Sequence, residues 1–203
     1  MIEKMKITHE ITEKEHQQFC FDFQDQHNFL LLGRGVFSNV YGANKNSSVY
    51  KIGLVDTDVE NDPYLSYLYK IKNEKNPFFP KVHNLTIFKS TVSSFYMVEM
   101  EKLYPCKEHS LNYQSYDIRE NLLSLFECRN HDFSQKEWQS MIHLYKKYGN
   151  KEAENLFITL ASLLENFKND IHKDNMMMRK NGQLVITDPF CPKHMETRPN
   201  IKY

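Results

Sequence analysis

The chain has 203 residues, of which 26 are Lys or Arg and 26 are Asp or Glu, so its formal net charge is zero. This length suits one domain with a sizeable core, or two small lobes that share one. The balanced charge gives no sign of nucleic acid or an anionic membrane as a partner. No stretch approaches the roughly 18 apolar residues of a membrane span. Four cysteines without a CxxC pair favour reduced thiols, so we expect a cytoplasmic protein.

The first half of the chain predicts an antiparallel sheet. Residues 1 to 28 are polar and charged, and we interpret them as a helix or an extended arm on the domain surface. Short apolar or alternating runs follow, separated by glycine, asparagine and polar residues. They predict five strands, at residues 30–32, 37–41, 49–52, 81–88 and 91–100.

Two features of this sheet are typical of phosphate binding. Gly33 and Gly35 lie in the turn between the first two strands, and glycines let backbone amides approach phosphate oxygens closely. An ordinary hairpin turn is the alternative. Lys51 lies in a β-branched strand, where burying a lysine is costly without a partner. The alternative for Lys51 is an edge strand whose lysine faces solvent.

The rest of the chain is mainly helical. Asp62 and Pro63 are suited to the cap and first position of a short helix that ends near Ile71. After Pro105, three longer helices are predicted, at residues 116–128, 134–148 and 152–167. The last of these has leucines at core spacing and leads directly to Asp170.

A hairpin is predicted immediately after Asp170. The apolar runs Met176–Met178 and Leu184–Ile186 flank Asn181-Gly182, a pair that accepts the positive φ angles of tight turns. A hairpin brings its two ends together, so Asn175 and Asp188 should lie at one edge of the fold. One amide oxygen and one carboxylate, completed by substrate phosphates, suffice as protein ligands for Mg²⁺. Asp170 would then be close enough to accept a proton from an attacking hydroxyl.

These motifs resemble those of the protein kinase superfamily. The turn is similar to GxGxxGxV, with Ser38 where the third glycine usually falls, and residues 49–52 (VYKI) look like the VAIK strand. Residues 170–175 and 188–190 resemble the HRDxxxxN and DFG motifs, although Lys168 replaces the histidine and the triplet reads Asp-Pro-Phe. The match covers about residues 29 to 190. The loop also looks like DLHPGN of aminoglycoside phosphotransferases, but the ending ITDPF is most similar to the early-gene protein kinases of short-tailed bacteriophages.

The resemblance implies an α+β, bilobal kinase-like fold formed by one minimal domain, residues 1–203. The N-lobe, about residues 1–100, would contain the N-terminal arm, the five-stranded sheet and one helix. The C-lobe, about residues 105–203, would be reduced, mainly helical, and would carry the catalytic-loop hairpin. Residues 97–101 resemble the hinge strand that binds adenine through its backbone, with Val98 or Met100 lining the back of the pocket.

The resemblance also implies ATP and Mg²⁺ as cofactors. Asp170 and Lys51 would be the catalytic residues, and Asn175 and Asp188 the metal ligands. The full set expected to bind ATP and its metal is Gly33, Arg34, Gly35, Val36, Phe37, Ser38, Val40, Lys51, Glu99, Met100, Asn175 and Asp188.

The function implied is that of a phage Ser/Thr protein kinase that phosphorylates host proteins, and possibly itself, to reprogram transcription or counter host defence. Two departures leave alternatives open. The helix after Asp62 has no interior glutamate to pair with Lys51, so Glu60 is a weak candidate, and only 15 residues follow Asp188. A pseudokinase that inhibits a host protein is the first alternative. A small-molecule kinase with an acidic acceptor pocket, formed by residues such as Asp117, Glu120 and Glu127, is the second. The sequence does not indicate an oligomeric state.

Overall fold

The computed structural model of the chain describes residues 13–35, 38–43, 47–55, 59–89, 94–127 and 135–192. The chain divides into two compact units, the first from residues 1–62 and 81–102 and the second from residues 63–80 and 103–203. No helix in the described ranges has the length and apolar character that crossing a bilayer requires.

The first unit contains the five-stranded antiparallel sheet that the sequence predicts. The strands lie in the order β1-β2-β3-β5-β4, so β3 is the central strand and β1 and β4 are the edges. Each strand begins and ends within a few residues of its prediction. Their bounds are β1 Leu30–Arg34, β2 Ser38–Gly42, β3 Ser48–Leu54, β4 Val82–Lys89 and β5 Ser94–Glu101.

Helix α1, Glu13–His27, covers one face of this sheet. The rings of Phe88 and Phe95 stack at 4.5 Å between centroids, and Phe19 of α1 packs on both at 5.1 and 5.2 Å. Phe23 packs edge-on against Tyr50. Of the two forms expected for the first 28 residues, the helix is therefore the one observed in the described part. Its aromatic side chains close the core on that face of the sheet.

The second unit contains four helices in the described ranges. They are α2 Pro63–Ile71, α3 Tyr113–Glu127, α4 Gln135–Lys147 and α5 Lys151–Leu164. Asn150 caps α5, because its side-chain oxygen accepts a hydrogen bond from the Ala153 N–H at 3.1 Å. The predicted cap of α4, Ser134, lies outside the described residues. Phe157 of α5 is fully buried and contacts Trp138 and Tyr145 of α4, so the two helices share one aromatic core.

Five short strands lie in the described part of the second unit. They are β6 Tyr104–Pro105, β7 Lys168–Asn169, β8 Met176–Met178, β9 Leu184–Ile186 and β10 Phe190–Cys191. Strands β8 and β9 pair antiparallel, which confirms the predicted hairpin with its predicted bounds. Its turn differs in detail from the expectation. Gly182 has a positive φ of 79°. Asn181 does not, because Asn28 is the only non-glycine residue with a positive φ in the described ranges. The turn is thus a longer type with one left-handed glycine at its end.

Helix α2 belongs to the second unit, although the sequence predicts it beside the sheet. Its predicted bounds are confirmed, with Pro63 as the first helical residue. The reason for its grouping is a set of hydrogen bonds between residues 63–80 and the hairpin. Arg179 donates to the carbonyls of Pro77 and Phe79, and the Ile186 N–H donates to the Phe78 carbonyl at 2.9 Å. These long-range bonds have no periodic signature in the sequence.

Candidate active site

Lys51 lies on the face of the sheet that α1 does not cover. It is directly opposite Val40 of β2 and Val98 of β5, and directly opposed residues of paired strands share a face. Its neighbour Ile52 belongs to the core under α1, so Lys51 must point the other way. Only 7% of Lys51 is exposed, and β3 is not an edge strand. The alternative of a lysine facing solvent from an edge strand is therefore wrong.

The glycine turn joins β1 to β2. Gly33 is paired with Val40, and the Gly35 N–H donates to the Ser38 carbonyl at 2.7 Å. Neither Gly33 nor Gly35 has a positive φ, and a Cβ on Gly33 would come no closer than 3.9 Å to Val40. Among the described residues, neither conformation nor packing requires glycine at these two positions. Arg34 ends β1, whereas Val36 and Phe37 of the predicted phosphate loop lie outside the described residues.

Glu99 and Met100 lie inside β5, with a strand on each side. Glu99 is opposite Tyr50 of β3 and Asn84 of β4, and Met100 is opposite Val49 and Val82. Both residues therefore lie in the part of β5 that is paired with a strand on each side. Their binding of adenine stays a prediction. These pairings give the register of β5 against its neighbours, whereas the choice between Val98 and Met100 at the back of the pocket stays a prediction. Val98 is fully buried on the Lys51 face, and Met100, two residues on, shares that face.

In the second unit, backbone hydrogen bonds hold Asp170 beside the segment that carries Asp188. Strand β7 pairs with β10 through Asn169 opposite Phe190, and the Asp170 N–H donates to the Pro189 carbonyl at 2.8 Å. Pro189 is the residue after Asp188. The two predicted aspartates are thus attached to neighbouring strands, and 42% of the Asp170 side chain is exposed. Asp170 is therefore held by a backbone hydrogen bond and accessible at its carboxylate.

Asn175 is held by the same loop. Its side-chain nitrogen Nδ2 donates to the Asp170 carbonyl at 2.8 Å. An amide carries its nitrogen and oxygen on opposite branches, so this bond directs Oδ1 away from that carbonyl. Beyond the hairpin, the Thr187 N–H and hydroxyl both donate to the Asn175 carbonyl, at 3.0 and 3.1 Å. Asp188 follows directly, so the hairpin brings Asn175 and Asp188 to one edge, as predicted from the sequence.

The donor types at this edge fit Mg²⁺. Asn175 offers an amide oxygen and Asp188 a carboxylate, and both are hard oxygen ligands. No group of three or more His, Cys, Asp or Glu side chains that could hold a metal occurs in the parts of the chain that the structure describes. Mg²⁺ is often bound by one or two protein oxygens and substrate phosphates, and this edge offers that limited set.

Two titratable groups respond to the carboxylates of this region. Burial, and then the nearby Asp170, raise the pKa of the Cys191 thiol to about 11, although Lys168 acts in the opposite direction. Burial, and then the Asp188 carboxylate, raise the pKa of Tyr67 well above its usual range. Both groups are therefore neutral at physiological pH.

His172 is a residue of this site that could not be assigned a role from the sequence. Its Nε2 lies 3.0 Å from Asn175 Nδ2 and 3.8 Å from a carboxylate oxygen of Asp170. Its Nδ1 lies 3.3 Å from the Asp174 backbone nitrogen. The spacing Asp-x-His-x-x-Asn was visible in the sequence. A polar loop contains such residues anyway, so the spacing alone did not single out His172.

A sheet with a buried central lysine, followed by an Asp-Asn loop and a hairpin that ends in aspartate, defines a kinase-like protein. Residues 4–199 match the family described as Bacteriophage T7 protein kinase 0.7. The chain belongs to this family, which confirms the resemblance to phage kinases.

A search of the curated proteins found no match. Among solved structures, the Cydia pomonella granulovirus kinase PK-1 is similar over 85% of this chain, with 15% sequence identity and a TM-score of 0.38. The chain spans 55% of the length of that kinase.

Proposed function

We propose that the protein is an ATP- and Mg²⁺-dependent kinase that phosphorylates serine or threonine residues of host proteins. The observation that carries the proposal is the tether between Asp170 and Asn175. One hydrogen bond, from Asn175 Nδ2 to the Asp170 carbonyl, fixes both the predicted base and the predicted metal ligand in one loop. The hairpin then adds Asp188 at the same edge. Family membership supports the same class of reaction.

In this proposal each residue has a separate task. Asn175 Oδ1 and the Asp188 carboxylate bind Mg²⁺, which neutralises charge on the phosphates when bound. The exposed carboxylate of Asp170 orients the acceptor hydroxyl and removes its proton. Lys51 contacts ATP phosphates from the face of the sheet opposite α1. Catalysis is then mainly positioning and charge neutralisation.

The glycine turn adds independent support for phosphate binding. Because the described protein atoms leave room for a side chain at Gly33, the absence of one is not explained by the fold. Close approach of a ligand to the backbone would explain it. The other expected phosphate contacts, at Arg34, Gly35, Val36, Phe37, Ser38 and Val40, belong to the same proposal, together with adenine contacts at Glu99 and Met100.

A pseudokinase, acting as an interaction module on a host protein, is the second candidate. The observation that favours it is the composition of α2, which contains no aspartate or glutamate to pair with Lys51. Glu60 precedes this helix and is exposed, and its pairing with Lys51 stays a prediction.

Transfer of phosphate from γ-labelled ATP tests the proposal. Purified protein is incubated with Mg²⁺ and a bacterial lysate, with Asp170→Asn and Asp188→Ala alongside. Loss of a general base costs about 10²- to 10⁴-fold, so label on lysate proteins should nearly vanish in Asp170→Asn. Phosphoamino acid analysis of the labelled proteins should find phosphoserine or phosphothreonine.

The same preparations separate the two candidates. A kinase requires transfer that depends on Asp170. Binding of ATP with Mg²⁺, measured as a rise in melting temperature that Asp188→Ala removes, but without transfer, would support the pseudokinase instead. Wild-type protein that neither binds nor transfers would contradict the proposed function.

A further inference from the structure

We infer that His172 is a positioning residue for the metal ligand Asn175, and that it acts as a hydrogen-bond acceptor through Nε2. The inference rests on the proposed function, because it assigns a role within the same site. The observation that carries it is the contact of 3.0 Å between His172 Nε2 and Asn175 Nδ2.

The direction of this hydrogen bond follows from the neighbouring carbonyl. A backbone carbonyl oxygen can only accept, and the Asp170 carbonyl lies 2.8 Å from the same Asn175 side-chain atom. That atom must therefore be the NH₂ nitrogen, which has two hydrogens to donate. One goes to the Asp170 carbonyl. The second has two acceptors in reach, His172 Nε2 at 3.0 Å and the Asp170 carboxylate at 3.4 Å, and we assign it to the nearer, so Nε2 must carry a lone pair.

The other ring nitrogen then carries the proton. The Asp174 backbone N–H also points at Nδ1, at 3.3 Å, and a neutral imidazole has one acceptor nitrogen, so the ring accepts only one of these two hydrogen bonds. We assign the acceptor to the shorter contact, because the orientation of the Asn175 amide is fixed independently. The Nδ1–H proton then points towards the Asp174 carboxylate, whose oxygen lies 3.6 Å away.

Both hydrogens of the Asn175 amide thus have acceptors, and this fixes the direction in which its Oδ1 points. Without His172, the amide would keep its bond to the Asp170 carbonyl and the longer one, of 3.4 Å, to the Asp170 carboxylate, and it would gain freedom to rotate or to exchange its nitrogen and oxygen. A rotated amide would present NH₂ instead of oxygen to the cation, and nitrogen that carries two hydrogens is not a Mg²⁺ ligand. Residues that orient a metal ligand typically contribute about 10- to 100-fold in metal affinity or activity.

Three substitutions at this position provide matched tests. The amide of glutamine places an acceptor near the position of Nε2, whereas the shorter asparagine places one near Nδ1. His172→Gln should therefore retain Mg²⁺ affinity close to that of the wild type. His172→Asn and His172→Ala should lower it by about 10- to 100-fold. Affinity is measured from the melting temperature at fixed ATP as Mg²⁺ is titrated, with unfolding of the protein alone as the control for stability.

A second measurement needs no metal. Nitrogen NMR of ¹⁵N-histidine-labelled protein, with the His172 signals assigned by their loss in His172→Gln, should show Nε2 without a proton and Nδ1 with one. The opposite tautomer would overturn the inference, and so would equal Mg²⁺ affinity in wild type and His172→Ala. If the wild type itself shows no Mg²⁺-dependent binding of ATP, the proposed function fails, and this inference fails with it.

Discussion

The hydroxyl of Tyr67 donates a hydrogen bond of 2.6 Å to the carbonyl of Ile186, a residue 119 positions further along the chain. Tyr67 is fully buried in α2, and Ile186 ends the strand that leads to Asp188. The Ile186 N–H is bound by the Phe78 carbonyl. Both backbone groups of Ile186 are therefore satisfied by residues 63–80, which fix the strand two residues before a predicted metal ligand.

Replacing Tyr67 with phenylalanine should destabilise the protein. The ring would still fill its site, but the buried Ile186 carbonyl would lose its hydroxyl donor, at a cost of about 1–3 kcal/mol. Urea unfolding would measure the loss. Tyr148→Phe is the matched control, since 72% of Tyr148 is exposed and its replacement should change little. Equal stability of Tyr67→Phe and the wild type would show that this bond is not needed to hold the strand.

The glycines of the first unit should separate stability from nucleotide binding. Gly33→Ala has room for its methyl group and should change stability by less than about 1 kcal/mol. It should nevertheless weaken ATP binding, measured by calorimetry, if phosphates approach that backbone.

Gly42→Ala is the contrasting variant. Its methyl group would lie 3.0 Å from Leu32 and 3.2 Å from Val49, so it should cost about 1 kcal/mol through overcrowding. Gly42 is outside the predicted phosphate loop, so ATP affinity should be kept. Unchanged ATP affinity in Gly33→Ala would count against the phosphate-binding role of the turn.

The catalytic-loop hairpin should depend strongly on Gly182. A Cβ there would lie 2.4 Å from the Ser110 carbonyl oxygen, and its φ is 79°. Gly149 has a similar φ of 67° but nothing within 4 Å of its Cβ position. Gly149→Ala should therefore cost about 1–2 kcal/mol from backbone strain alone, and Gly182→Ala clearly more. Urea unfolding of both variants would measure the difference, and equal losses would contradict the importance of the close approach to Ser110.

The sequence was sufficient for features set by local pattern. The hairpin register follows from two apolar runs and a glycine at the turn, so the placement of Asn175 and Asp188 at one edge could be predicted. Features that depend on distant partners could not. The grouping of α2 is determined by bonds such as Tyr67 to Ile186, which leave no periodic trace. The alternation in residues 97–101 does not indicate which residue lies opposite Lys51, and only the strand pairing shows that it is Val98. The role of His172 needs the carbonyl that orients Asn175.

The thiol of Cys191 should report the charge of the candidate site. Its pKa of about 11 arises first from burial and then from Asp170, with a smaller contribution from Asp188. A raised thiol pKa means that the thiolate, the form that reacts with iodoacetamide, is scarce at pH 8 and increases as the pH rises towards 11. Because the carboxylate disfavours the thiolate, Asp170→Asn should lower the pKa of Cys191 and speed its alkylation at pH 8. Mass spectrometry of the Cys191 peptide over a pH series measures both effects.

Cys20, which lies in the first unit, is the internal control and should react equally in wild type and variant. An alkylation rate of Cys191 that does not change in Asp170→Asn would show that the Asp170 carboxylate does not act on this thiol.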